Sequence, residues 1–373
     1  MIVCAAPRRR HRSRVCHRAD RTVAPAVCDA LTPSPLPYPP SSSARSSSGA
    51  AMISCHFQPR LPWGGTAAML RALLLALAAL LAGCGGGTEQ NEPFVPVRLF
   101  TLGDEASTIN PDGTTYSVNG LDANGNFDCT ALPIWTESLA TNLGFVFAEC
   151  NKAGVADPKA RSLAAPHAKA ADITAQVDAA LAAAGRFGER DLTTVFVGVN
   201  DVMELYKQYP QSTEAALMAE AARRGVLVAQ QVNRLIALGT KVIVVNLPDL
   251  GYTPFAIKEK QLYSDTDRAA LLSRLVAAFN QNLGVSILLD GRYVGLVQLD
   301  QRSQVLARAG TSFGFTDVID PVCAVALPGC TTATLVPGGT AKGYLWADDR
   351  WFAPGGQAQL ALLAIDRARN NPF

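Results

Sequence analysis

The chain has 373 residues, 49% of them hydrophobic, and its formal net charge is only +2. This apolar content is enough for a sizeable core of one large domain or two smaller ones. The small net charge argues against nucleic acid as the main partner, which would favour a clustered basic excess, and five of the 33 Lys and Arg residues lie in the leader at residues 7–14.

The first 84 residues predict a processed amino terminus. Residues 1–68 are rich in Arg, Ser and Pro without apolar periodicity, and are interpreted as a mis-assigned or disordered leader; a basic arm or transit peptide is the alternative. The apolar run 72–82 is too short to span a bilayer and is typical of a signal peptide, predicted at 69–83. A buried apolar helix is the alternative there, but the glycines that follow Cys84 would break it.

The end of this run, LAGC at 81–84, resembles the bacterial lipobox, whose cysteine is acylated and becomes the mature terminus. The resemblance predicts lipidation of Cys84, a flexible tether over residues 84–96, and a membrane as partner through the lipid anchor. We therefore expect a bacterial outer-membrane lipoprotein that faces the periplasm or the cell surface.

Four cysteines follow Cys84, and an even number in an exported chain suggests disulfides. Of three connectivities, the pairing of sequence neighbours, Cys129–Cys150 and Cys323–Cys330, is favoured. This part of the chain has a single histidine, His167, and no short C-x₂₋₄-C spacing, so we predict neither a metal nor a cofactor.

Strand-like and helical patterns alternate through the remaining chain. Strands are predicted at 97–102, 145–150, 193–199, 241–248 and 293–300, and helices at 132–144, 170–185, 212–239, 264–289 and 355–370. The alternation predicts one α/β domain over 97–373, built on a parallel sheet with right-handed crossovers. Ligands of such sheets bind beyond the carboxyl ends of the strands, so the turns that follow Leu102, Val199 and Asn246 are the places where chemistry is expected.

Four ordered motifs occupy these turns and the carboxy-terminal region: GDE at 103–105, GVND at 198–201, NLPDLGYTP at 246–254 and YLWADDRWFAPGGQAQLA at 344–361. Together they resemble the motifs of the GDSL or SGNH hydrolases, which include secreted and lipoprotein esterases and lipases. The resemblance implies a three-layer α/β sandwich of flavodoxin-like type and ester hydrolysis as the activity of the family.

In that family a serine attacks the ester, and a histidine three residues after an aspartate is the base. The oxyanion is held by the N–H of the serine, a glycine N–H and an asparagine side chain. The matching positions here are Asn200 for the asparagine, Gly154 for the glycine and Asp348 for the aspartate. The other retained motif positions are Gly103, Asp104, Gly198 and Asp201.

Two essential positions depart from the pattern, because the serine position holds Glu105 and the histidine position holds Trp351. Gln357 stands where a second histidine or a similar residue is common. Loss of serine and base from a triad removes on the order of 10⁶ in turnover. We therefore expect an impaired enzyme whose old cleft is structural or holds an acyl-ester or lipid-like ligand.

Two active alternatives stay open at this point. The chain could be an ester hydrolase that uses Ser107, two residues beyond the nucleophile position, or another nucleophile. A carboxylate-based hydrolase centred on Glu105 would need Asp104, Asp348 or Asp349 as its partner.

Ordinary structural roles are the alternative for the retained motif residues. Asn200 and Asp201 would also suit the start of a helix, where such side chains act as caps. Asp348 would suit a solvated loop, and His167 in "SLAAPHAKAAD" an exposed one.

Overall fold

A five-stranded parallel sheet runs through residues 93–373, the part of the chain that the computed structural model describes. The predicted leader, the signal peptide, Cys84 and most of the tether lie outside the described residues. Among residues 93–373 no helix is both long and apolar enough to cross a membrane.

The strands are β1 (Arg98–Gly103), β2 (Gly120–Leu121), β3 (Phe127–Asp128), β4 (Ala160–Ser162), β5 (Asp191–Phe196), β6 (Lys241–Val245), β7 (Val294–Val297), β8 (Asp317–Pro321) and β9 (Tyr344–Trp346). In the five-stranded sheet the strands have the order β4-β1-β5-β6-β7, and every neighbouring pair is parallel. Numbered by chain position, the five sheet strands have the order 2-1-3-4-5 of flavodoxin-like folds. This confirms the predicted α/β fold with a central parallel sheet.

The helices are α1 (Trp135–Asn142), α2 (Ile173–Ala184), α3 (Val199–Tyr206), α4 (Glu214–Ala237), α5 (Pro254–Leu262), α6 (Arg268–Ser286), α7 (Leu299–Ala309) and α8 (Pro354–Asn370). Two pairs of helices pack against each other: α1 with α8, and α4 with α6. The side chains of Thr213 and Asp267 accept backbone N–H groups at the starts of α4 and α6, as is common for Thr and Asp at helix amino termini.

The central strands are buried along their length. Every residue of β5 is buried, and so is every residue of β6 after Lys241. Strands covered by helices on both faces read as continuous apolar runs, which is why the sequence pattern identified them.

The strand predicted at 145–150 is wrong. Phe147 makes one isolated bridge to Ala160, and the chain then forms a 3-10 turn over Ala148–Cys150. The sheet strand beside β1 is instead the three-residue β4. An apolar run indicates burial rather than a strand as such, and here its burial includes Cys150 in a disulfide. Both predicted disulfides, Cys129–Cys150 and Cys323–Cys330, are confirmed.

Candidate functional site

The turn after β1 is pressed against the neighbouring strand β5. Gly103 has φ +147°, and a Cβ at this position would lie 2.0 Å from the carbonyl oxygen of Phe196. Only glycine tolerates both the conformation and the approach. The side chain of Gln176 on α2 binds both backbone polar groups of Gly103, at 2.7 and 2.9 Å. The start of the turn is therefore fixed.

The residues that follow form a 3-10 turn, Glu105–Ser107, capped by Asp104, whose Oδ1 accepts the N–H of Ala106 at 3.2 Å. Trp135 on α1 donates its Nε1–H to the carbonyl of Ala106 at 3.1 Å. The turn is thus held from the sheet side and from the helix side.

The second turn joins β5 to α3 and begins with Gly198. Its φ is +129°, and a Cβ there would lie 2.5 Å from the ring of Phe279. Because the sheet order reverses between β1 and β5, these two turns flank the topological switch point, where ligands of such sheets bind.

The carboxylate of Glu105 occupies this point and is only 4% exposed. Asn200 donates its Nδ2–H to Oε2 at 2.7 Å, and also to the carbonyl of Ala168 at 3.1 Å. The backbone N–H of His167 donates to Oε1 at 2.9 Å, and the Nδ1 of His167 lies 3.0 Å from the same oxygen. Three nitrogen atoms therefore surround one buried carboxylate.

His167 has φ +64°, which makes it the one non-glycine residue with positive φ in the part of the chain that is described. Its side chain is 88% exposed, so the strained backbone is not explained by burial of the imidazole. The conformation instead turns the N–H toward Glu105. Backbone strain of this kind is common at ligand-binding sites.

Gly154 does not reach this site. It lies in the loop before β4, where its N–H donates to the carbonyl of Asn151, and so at the amino end of that strand. Glu105 follows the carboxyl end of β1, which is parallel to β4. The backbone donor that the motif resemblance assigned to Gly154 is supplied here by His167.

Asp104 is fully buried, and its Oδ2 has no hydrogen-bond partner among residues 93–373. Burial, and after it the charge of Glu105, raises the pKa of Asp104 well above its ordinary value. Asp201 accepts the N–H of Ala170 at 2.8 Å, and burial raises its pKa to about 6. Neither Asn200 nor Asp201 caps its own helix, because both side chains bind the loop that follows β4.

The carboxy-terminal motif forms a tight turn in which Asp348 accepts the N–H groups of Arg350 and Trp351, at 2.9 and 2.7 Å. Burial raises the pKa of Asp348 to about 6. Trp351 is 7% exposed and belongs to the main apolar core. Gln357 is also buried and accepts the N–H of Trp135, which links this region to α1.

Two residues near Glu105 were not predicted from the sequence. Burial lowers the pKa of Arg350, but the carboxylate of Asp349, helped by Asp348 and Glu105, raises it overall. Burial, and secondarily the charge of Glu105, raises the pKa of Tyr116. Arg350 lies within the fourth motif but was given no role there, and Tyr116 lies outside all four motifs.

Ser107 is fully buried, and its hydroxyl has no hydrogen-bond partner among the described residues. Its backbone N–H donates to the carbonyl of Asp104 and its carbonyl accepts the hydroxyl of Ser162. No described residue therefore accepts a hydrogen bond from the Ser107 hydroxyl, as a general base would. Within residues 93–373 no cluster of three His, Cys, Asp or Glu side chains could hold a metal ion.

No protein-family model matches the sequence, and no curated protein matches it. Among solved structures, the acetyl xylan esterase AlAXEase is 11% identical with a TM-score of 0.39, over 71% of this chain and 96% of that chain. A protein assigned as an SGNH hydrolase from Slackia heliotrinireducens is 15% identical with a TM-score of 0.33, over 73% and 98%. A protein assigned as a GDSL-like lipase from Parabacteroides merdae is 11% identical with a TM-score of 0.38, over 74% and 99%.

Solved structures similar to this α/β fold thus include proteins assigned as SGNH or GDSL hydrolases and acetyl xylan esterases.

Proposed function

We propose that this chain is a lipid-anchored, SGNH-type protein of the bacterial cell envelope whose ester-hydrolysis site is filled by its own glutamate. The observation that carries the proposal is the pair of hydrogen bonds from His167 N–H and Asn200 Nδ2 to the buried Glu105 carboxylate. In a serine esterase, donors of this kind stabilise the oxyanion of the tetrahedral intermediate.

A carboxylate bound by both donors leaves no room for a substrate oxygen. Glu105 replaces the nucleophile and also occupies the place where the oxyanion would form. Trp351 cannot act as a general base, because its indole nitrogen has no basic lone pair. Hydrolysis of esters by the serine mechanism is therefore expected at background, and any role in the envelope rests on structure or on binding of an acyl-ester or lipid-like ligand.

The test is hydrolysis of p-nitrophenyl acetate and butyrate by the purified full chain, together with labelling by a fluorophosphonate. We expect no labelling of the wild type. The double variant Glu105→Ser/Trp351→His should gain both labelling and turnover, while Glu105→Ala/Trp351→His, its matched control without a nucleophile, should gain neither. Rapid turnover by the wild type with stoichiometric labelling of a serine would overturn the proposal, and Ser107→Ala would then show whether Ser107 is that serine.

A second function, carboxylate-based hydrolysis by Glu105, is favoured by one contact, the 3.0 Å distance between His167 Nδ1 and Oε1. An imidazole at this distance can exchange a proton with the carboxylate. Turnover that resists fluorophosphonate and disappears in Glu105→Gln would support it. Equal background rates in the wild type and in Glu105→Gln would exclude it.

A further inference from the structure

Exposed apolar side chains are concentrated at the amino ends of the sheet strands, opposite the candidate site. Six of the large apolar residues that are exposed among residues 93–373 lie there, and we name them the tether face: Val95, Val97, Val285, Leu288, Leu289 and Tyr293. Val285 is 74% exposed and Leu288 60%. Contiguous exposed apolar surface usually marks a surface that is covered in the functional state.

This face includes the chain that comes from the predicted anchor. The ring of Phe94 packs edge-on against that of Phe373, with centroids 5.2 Å apart. The side chain of Asn371 donates to the carbonyls of Gly291 and Val294, in and just after the loop that carries Leu288 and Leu289. The carboxy-terminal residues therefore connect the tether to that loop.

The reach of the tether brings the face close to a membrane. Phe94 lies ten positions after Cys84, and a fully extended chain spans at most about 35 Å over that length. Since Phe94 is already packed onto the domain, the acylated end of the chain starts from this face and not from the candidate site.

The charges around the tether face fit an anionic surface. At the starts of β1, β5, β6 and β7 and in the loops before them, five basic residues stand against three acidic ones: Arg98, Arg186, Arg190, Lys241 and Arg292 against Glu189, Asp191 and Asp290. Lys241 and Arg292 both lie over the ring of Tyr293, at 4.7 and 5.6 Å from its centroid. An aromatic ring with flanking cations among aliphatic side chains is the composition that lies in a lipid headgroup region.

We propose that the tether face rests on the anionic lipid surface of the membrane and holds the candidate site away from it. The inference rests on the proposed lipid anchor at Cys84. One acyl-anchored residue gives attachment without orientation, and a second, surface contact fixes which end of the domain faces the bilayer.

The test uses the full chain, expressed with its own leader and reconstituted in phosphatidylglycerol vesicles whose acyl chains carry bromine. Bromine quenches tryptophan fluorescence only at close range. The extra fluorescence of the Tyr293→Trp variant over the wild type should be quenched. That of the control Leu262→Trp, at a position 63% exposed at the carboxyl side of the sheet, should not.

Adding Leu288→Glu and Leu289→Glu to Tyr293→Trp should reduce the quenching at least twofold, while Leu262→Glu and Ile319→Glu, matched in exposure, should leave it unchanged. Equal quenching of the Tyr293→Trp and Leu262→Trp variants would overturn the inference, as would a dimer that protects the Tyr293→Trp fluorophore from bromine. Mass spectrometry of the Cys84 peptide separates the two proposals. An acylated Cys84 without quenching refutes the tether face alone, and an unmodified Cys84 refutes the anchor.

Discussion

Replacement of Asn200 by alanine tests the geometry of the candidate site directly. Its Nδ2 donates one hydrogen to the Glu105 carboxylate at 2.7 Å and one to the carbonyl of Ala168 at 3.1 Å. A hydrogen bond to a charged group contributes about 1.5–3 kcal/mol, and a neutral one about 1 kcal/mol. Asn200 is only partly buried, so water would replace part of both bonds. We expect a loss of about 2 kcal/mol in the free energy of unfolding.

That loss corresponds to a Tm lower by roughly 3–4 °C for a domain of this size. Urea unfolding followed by tryptophan fluorescence would measure it for Asn200→Ala, Glu105→Ala and the double variant. The coupling energy from this cycle should be about 1.5 kcal/mol, because the same contact is removed in each single variant.

The control is Asn282→Ala, since Asn282 makes one neutral bond, to the carbonyl of Ala278 within α6. This substitution should lower the free energy of unfolding by less than about 1 kcal/mol. If Asn200→Ala is no more destabilising than this control, or the coupling energy is zero, the Glu105–Asn200 contact does not exist in solution as described.

Two further measurements follow from the buried groups. Burial raises the pKa of Glu137 to about 8, so the folded state holds this proton more tightly than the unfolded state does. The stabilisation that this bound proton contributes is complete below the pKa of the unfolded state and is lost as the pH rises through about 8. The Glu137→Gln variant should therefore lose less stability than the wild type between about pH 5 and pH 9. Identical pH slopes of the free energy of unfolding in urea would contradict this. The disulfides should differ by loop length: replacement of Cys129 and Cys150 by serine should cost about 3 kcal/mol, and replacement of Cys323 and Cys330 about 2.5 kcal/mol, in the same assay. The reverse order would show that chain entropy does not set their contributions.

The sheet could be predicted from the sequence because its strands are short apolar runs between long amphipathic helices. This holds for β1, β5, β6 and β7. The edge strand β4 has only three residues, with the pattern Ala-Arg-Ser, and carries no periodicity. The small helices α3 and α7 follow strand ends within a few residues, and tertiary packing rather than a long amphipathic pattern fixes them.

The site could be predicted in part. Asn200 and Glu105 were matched to motifs at strand ends, and the parallel sheet brings those ends together. The oxyanion-type donor from the β4 loop could not be predicted, because any residue supplies a backbone N–H. Gly154 was matched to the oxyanion glycine because of its residue type, yet the N–H that donates to Glu105 belongs to His167, at φ +64°. A donor defined by backbone conformation leaves little trace in the identity of the side chain.

The position of Asn200 beside a buried glutamate has a physical explanation that does not require catalysis. An oxyanion site is a set of polar donors fixed in a largely buried place, and such donors are costly when they have no acceptor. In an esterase the substrate or water supplies that acceptor. Here Glu105 supplies it permanently, with Oε1 bound to His167 and Oε2 to Asn200. A small or apolar residue at position 105 would leave both donors unpaired, whereas a carboxylate satisfies both. Glu105 is therefore better understood as a structural acceptor for these donors than as a nucleophile.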